Sequence, residues 1–162
     1  MYFCLHFASA NIDITFILQV LFVCTMEKTV KRSKCPISCS LDIFGDKWSL
    51  LIIRDLMFFG KTTYGEFLKS AEGISTNILA ARLQSLEESQ LLIRTEHPDS
   101  KAKVLYKLTE KAVDLLPMIV EIHLWAEKHL TITPETRALI QEVKKDKEGF
   151  ITKIMTKLSE RI

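Results

Sequence analysis

The sequence predicts a mainly α fold with a small β-hairpin: a winged helix-turn-helix domain followed by extra C-terminal helices. Three observations carry that prediction. A short helix, a glycine-bearing turn and a longer helix follow one another between residues 63 and 89. Two strand-like runs around a basic, polar turn come directly after them. Elsewhere, apolar residues recur at the three- and four-residue spacings of amphipathic helices.

The elements read in order as follows. Leu41, Phe44, Trp48, Leu51, Ile52, Leu56 and Phe59 share helical spacing, predicting one or two helices over about 40–58 with Gly45 between them. Asp46 suits the N-cap of the second and Gly60 its end. Thr63 with Glu66 three residues later is a capping-box signature, opening a short helix that ends near Ala71. Glu72-Gly73-Ile74 is a tight turn, and the next helix runs from Ser75 or Thr76 to about Ser89. Residues 91–96 read as a strand, 97–103 as a polar turn and 104–108 as a second strand. Thr109 caps a long helix in which Pro117 marks a start or a kink. Thr133-Pro134-Glu135 begins one amphipathic helix, and Phe150, Ile151, Ile154 and Leu158 give a second one its stripe. The chain thus divides into 1–25, the winged helix-turn-helix domain over 26–130, and C-terminal helices over 131–162 that serve packing or dimerisation.

Composition sets bounds. With 48% hydrophobic and 26% charged residues the body can bury a core without disulfides or metal. The net charge of +2 is weak support for a polyanionic partner, so DNA binding must be argued from local faces. All four cysteines (Cys4, Cys24, Cys35 and Cys39) fall early in the chain, which is not a disulfide framework and fits a reducing cytoplasm. Every Lys and Arg follows Thr25. The apolar run Ile12 to Cys24 is shorter than the roughly 20 residues of a membrane span and lacks the basic lead of a signal peptide. Residues 1–25 therefore read as an upstream extension before a body starting at Met26; an extra packing segment or a membrane anchor are the alternatives.

On a helical wheel with Leu79 at zero, Leu83 and Leu86 fall at about 40° and 340°, forming the buried stripe. The opposite face carries Asn77, Ala81 and Gln84, with Ala80 on its flank. Amides can pair with adenine edges and alanine can meet a thymine methyl, which suits a helix of about 75–89 lying in a major groove. Ser75, Thr76 and the amides of the first turn suit phosphate. Lys101 and Lys103, read at the hairpin tip, suit the DNA backbone or minor groove. Arg82 lies between the two faces and either reaches a phosphate or pairs with an acidic neighbour. The neutral reading face and basic wing favour DNA over the alternative, a winged helix used only for protein–protein interaction. No Gly-rich phosphate loop, HExxH or nucleophile elbow occurs, so no enzyme is expected.

These residues resemble the HxlR-type winged helix-turn-helix transcriptional regulators. The resemblance runs from Cys35 to about Trp125. It rests on Cys35-Pro36, on Gly45-Asp46-Lys47-Trp48 with Leu51 to Leu56, and on Phe67. Further along it rests on Gly73 to Leu79, Arg82-Leu83, Leu86-Glu87, Tyr106-Lys107-Leu108-Thr109 and Trp125. It implies a homodimer on operator DNA, with the segment around Ser40 and the helix from about Thr109 to His129 building the interface. It also implies that Cys35 senses an oxidant or electrophile, as a cysteine at this position does in some relatives. Lys31, Arg32 and Lys34 would favour its thiolate, and Cys39 could resolve it. A structural zinc site needs four ligands and the histidines show no paired spacing, so no metal or other cofactor is expected. Three departures stand out. The Arg-Phe pair that often leads the first helix of the motif lacks its Arg before Phe67. Two usual glycines, expected at turn or cap positions, are Gln90 and Ala112.

Overall fold

The computed structural model describes residues 33–97 and 100–162, with the backbone alone for 100–102; residues 1–25 and the turn at 98–99 lie outside it. Helices α1 (Pro36–Phe44) and α2 (Ser49–Phe58) come first. The pair α3 (Tyr64–Leu68) and α4 (Thr76–Glu88) follows, then strands β1 (Leu92–His97) and β2 (Ser100–Leu108). Helices α5 (Glu110–Val113), α6 (Leu116–His129), α7 (Pro134–Lys145) and α8 (Lys147–Ser159) complete the chain.

Local chemistry explains most boundaries. Pro36 sits in the first turn of α1, where its fixed φ suits the helix and its missing N–H costs nothing, so α1 starts ahead of the expected Ser40. The N-cap residue of α2 is Trp48, two past the expected Asp46, but the Asp46 carboxylate still accepts from the backbone N–H groups of Trp48 (2.8 Å) and Ser49 (3.1 Å) at the helix start. Gly60, at φ +62°, takes the left-handed turn after α2. The capping box of α3 is formed: the Glu66 carboxylate accepts from the Thr63 N–H at 2.8 Å. Pro117 lies in the first turn of α6 and cannot donate to the preceding turn, which separates α6 from the one-turn α5.

The wing differs in extent from its sequence outline. β1 and β2 pair antiparallel, Leu92 opposite Leu108 and His97 opposite Ser100, so β2 begins at Ser100 and only 98–99 remain for the turn. Lys101 and Lys103 are therefore strand residues of the wing's outer half rather than part of a long loop. Residues 101–103 read as loop from the sequence because they show no apolar alternation. A bridge between Thr63 and Leu105 and the hydrogen bond from Tyr106 N–H to the Thr62 carbonyl (2.7 Å) anchor the wing to the start of α3.

The core gathers Ile53, Phe67, Leu79, Leu83, Leu86, Leu92 and Leu116 at or near zero exposure. Val143, Phe150 and Leu158 join the same cluster, so α7 and α8 pack on the winged helix. Ala112, expected at a turn or cap, is instead inside α5 and fully buried, with Thr109 capping that helix. Gln90 does occupy a glycine-type turn, at φ +58°.

Candidate nucleic-acid interface

The helix-turn-helix, and so the candidate reading head, is α3, its turn and α4. Gly73, at φ +68°, makes the turn between them, in the left-handed region where a Cβ is disfavoured. A hydrogen bond from the Tyr64 hydroxyl to the Thr76 carbonyl (2.7 Å) ties the first turn of α3 to the first turn of α4. Sequence spacing did not reveal that link, since it joins residues on two different helices.

A buried polar cluster fixes the same pair against α2. Asp55 is 2% exposed. Its carboxylate accepts from Lys61 (2.7 Å), from the Ser70 hydroxyl (2.6 Å) and from Arg54 (2.6 Å), and Arg54 reaches on to Glu72 (2.7 Å). Ser70 and Glu72 lie between α3 and α4, so α2 holds the connection by charge as well as by packing. Burial would push the Asp55 carboxyl up, but the hydrogen bonds from Lys61, Ser70 and Arg54 outweigh it and hold it below the usual carboxylate range. Arg54 and Asp55 both fall within the Leu51 to Leu56 segment of the family resemblance, but nothing in their spacing points to these partners.

On α4 the wheel is realised. Leu79, Leu83 and Leu86 are buried, while Thr76, Asn77, Ala80, Ala81 and Gln84 face solvent. Ser75 is the N-cap residue, exposed, and its side chain makes no capping hydrogen bond. Gln84 donates to Glu88 (2.9 Å). Arg82 pairs with Asp46 (3.3 Å), so of its two sequence-level alternatives the acidic neighbour is occupied. Asp46 thus serves the start of α2 and holds Arg82 of α4 together. Its carboxyl is lowered: burial opposes the shift, and the Ser49 hydroxyl, the amides of Trp48 and Ser49 and the Arg82 charge overcome it.

Between α4 and the wing lies a hollow of about 630 Å³ bordered by Tyr64, Ala80, Gln84, Arg94 and Tyr106. Arg94 stands half-exposed there, weakly paired with Glu87 at 3.5 Å. It was not singled out from sequence; its outward place on β1 emerges only from the pairing register. Lys103 is exposed on β2. Among the described residues the cysteines, Cys35 and Cys39, belong to the start of α1. Cys35 is its N-cap residue, exposed, and Cys39 sits one turn later, half-buried, its thiol donating to the Ser33 carbonyl (3.2 Å). Both are free thiols. Among the described residues no cluster of three or more His, Cys, Asp or Glu could hold a metal, and no helix is long and apolar enough to cross a membrane.

Comparison with known proteins places this geometry. The family profile for HxlR-like helix-turn-helix proteins matches residues 43–134. The regulatory protein MalR of Fusobacterium mortiferum is 34% identical over 60% of this chain and 92% of its own. The HTH-type transcriptional regulator YodB of Bacillus subtilis is 34% identical over 60% of this chain and 87% of its own. The solved structure of the redox regulator HypR in its oxidized form superposes with a TM-score of 0.54 at 28% identity, covering 60% of this chain and all of that one. The reduced form of YodB superposes with a TM-score of 0.50 at 31% identity, over 60% of this chain and 95% of that one.

Proposed function

Because this chain belongs to the HxlR-like helix-turn-helix family of transcriptional regulators, we propose that it is a sequence-specific regulator that binds operator DNA as a homodimer. The observation that carries this reading is the two-faced α4: a fully buried leucine stripe behind an exposed row of small and amide side chains. In a major groove, Asn77 and Gln84 read base edges and Ala80 and Ala81 allow close approach. Ser75, Thr76 and the first-turn amides hold phosphate. Arg82 contributes positive charge at the rim from the position Asp46 gives it. Lys101 and Lys103 of the wing take the backbone or minor groove. An enzymatic role falls outside the family's work.

The homodimer forms through the apolar faces of α1 and α6, since α1 has no buried residue and Ile37, Leu41, Ile122 and Trp125 are all exposed. Cys35 senses an oxidant or electrophile, with Cys39 one turn away as its resolving partner. The support is the exposed thiol at the start of α1, together with the similarity to the redox regulator HypR. Such a free thiol pair and a DNA target belong together in a reducing cytoplasm.

The test is anisotropy of labelled intergenic DNA adjacent to the gene, measured across a salt series. Asn77→Ala should change which sequences bind, at a cost of about 1–3 kcal/mol for the preferred site. Lys103→Ala should weaken all sequences alike and lower the salt slope by about one. If neither variant alters binding, the reading head has been misplaced; flat salt dependence would point to a protein partner.

A further inference from the structure

On the operator-binding reading, on which this step rests, we propose that Arg94 is a DNA phosphate contact at the joint between α4 and the wing, and that Glu87 is the counterion it leaves when DNA arrives. Strand pairing sets which way the side chains of the wing face. Arg94 stands opposite Tyr106, and the two border the hollow together with Ala80 and Gln84 of the outward face of α4. Along β2 the two-residue alternation puts Lys103 on the other side of the ribbon, with Lys107. Among the described side chains of the wing, the cation turned toward α4 is therefore Arg94. The walls of a major groove are sugar-phosphate strands, so a duplex that receives α4 brings one of them up on this side of the wing.

Two further observations favour phosphate. Arg94 is loosely held: its Nε stands 3.5 Å from Glu87 Oε1 with the side chain 58% exposed, whereas Arg54 reaches its two carboxylates at 2.6 and 2.7 Å. An exposed pair this long contributes little to stability. A phosphate offers the guanidinium fork shorter, paired bonds of about 2.7–2.9 Å. The backbone behind Arg94 is also fixed. Its partner Tyr106 donates to the Thr62 carbonyl at 2.7 Å, and the Tyr106 ring meets Phe67 edge-on with centroids 6.1 Å apart. The cation is thus presented from a strand tied to α3, which leaves little backbone order to be gained on binding. Glu87 and Glu88 border the same hollow. Glu88 accepts from Gln84 at 2.9 Å, and Glu87 is the one paired with Arg94, so Glu87 is the group that competes with phosphate.

The test is anisotropy of the labelled intergenic duplex and of a scrambled duplex of equal length, across a salt series, with thermal unfolding alongside. The whole chain is compared with Arg94→Gln, Arg94→Lys and Glu87→Gln. Arg94→Gln should weaken both duplexes about tenfold and lower the salt slope by about one, at unchanged Tm. Arg94→Lys should keep the slope, because a point charge still displaces a counterion. Glu87→Gln should tighten both duplexes about threefold. The proposal is overturned if Arg94→Gln keeps the wild-type slope, if its loss of affinity comes with a fall in Tm and no change in slope, or if Glu87→Gln does not tighten binding. A wild-type chain that binds neither duplex overturns the operator reading and this contact with it. Binding that responds to Lys103→Ala but not to Arg94→Gln overturns this contact alone.

Discussion

The reading head and the α1/α6 flank expose opposite kinds of surface. The reading head is complete within one chain. Its leucine stripe and Phe67 are buried, the Asp55 carboxylate of α2 that braces it has three donors, and among the described residues no buried side-chain polar atom lacks a partner. Apart from Ile78, at 41% exposure, what it leaves in water is small or polar. The flank leaves Ile37 at 72% exposure and Trp125 at 57%, on helices that otherwise read as ordinary amphipathic segments. A polar face is stable in water while it waits for a polyanion. An apolar face of this size is stabilised only when covered, by about 25 cal/mol per Å² of apolar area. On the proposed function the difference assigns DNA to the polar end and a partner chain to the apolar one.

The largest effect should come from breaking the completeness of the reading head. Asp55→Ala removes the shared acceptor of Arg54, Lys61 and Ser70, leaving Lys61 without a carboxylate and Arg54 with Glu72 alone, both cations being only about a fifth exposed. Loss of one partner from such a cluster costs roughly 3 kcal/mol, which urea denaturation would report as a lowered midpoint at unchanged m-value. The cluster also predicts a pH dependence. The folded-state carboxyl of Asp55 lies below its unfolded value, near about 3.9. Its contribution is therefore complete above that value and is lost as pH falls through the lower folded-state value. Asp55→Asn should flatten this acid-side slope. A slope identical to wild type would show that the carboxylate is not what locks α2 to the turn.

The flank should respond differently. Trp125→Ala deletes the largest exposed apolar side chain of α6, whose ring otherwise meets only the His129 ring at 5.0 Å among the ring contacts described. An interface anchor of this type contributes about 2 kcal/mol, so the dimer dissociation constant should rise about thirtyfold in sedimentation velocity. Unfolding of the dilute monomer should barely change, because little packing inside the chain is lost. An unchanged dissociation constant would mean that the apolar face of α6 is not part of the interface, and the contrast between the two ends would collapse.

How much of this was legible beforehand depended on whether the signal was local. Leu79, Leu83 and Leu86 against Asn77, Ala81 and Gln84 could be read from spacing alone, because both faces belong to one helix. Thr63 with Glu66, Pro134 after Thr133, and Pro117 as a helix start were equally local. Links between elements left no sequence trace: Tyr64 to Thr76, Asp46 to Arg82, and the convergence of Lys61, Ser70 and Arg54 on Asp55. The extent of β2 was missed for another reason. Its outer half lacks the apolar alternation that marks a half-buried strand. The hollow between α4 and the wing was invisible because Gln84, Arg94 and Tyr106 are brought together only by packing of the hairpin beside the helix.

The smallest predicted effect concerns the joint between reading head and wing. After α4, the Gln90 N–H donates to the Glu87 carbonyl and the Leu91 N–H to the Leu86 carbonyl, both at 2.9 Å, which is the Schellman arrangement. That arrangement needs a left-handed residue, and Gln90 supplies it at φ +58° although its Cβ disfavours that region. The residue is exposed, and its carbonyl, which accepts from the Thr109 hydroxyl at 2.7 Å, would survive any side-chain change. Gln90→Gly should therefore stabilise the protein. Relief of the left-handed penalty, roughly 1–2 kcal/mol, is partly offset by the greater freedom of glycine in the unfolded chain. A net gain of about 0.5–1 kcal/mol corresponds to a rise of roughly 1–4 °C in Tm. The buried stripe of α4 and its outward face are untouched by the change, so DNA affinity should hold while Tm rises. If Tm rises and affinity falls, the stiffness of this joint, and not only the face of α4, sets how the wing meets the backbone, and the reading head is less self-contained than its packing suggests.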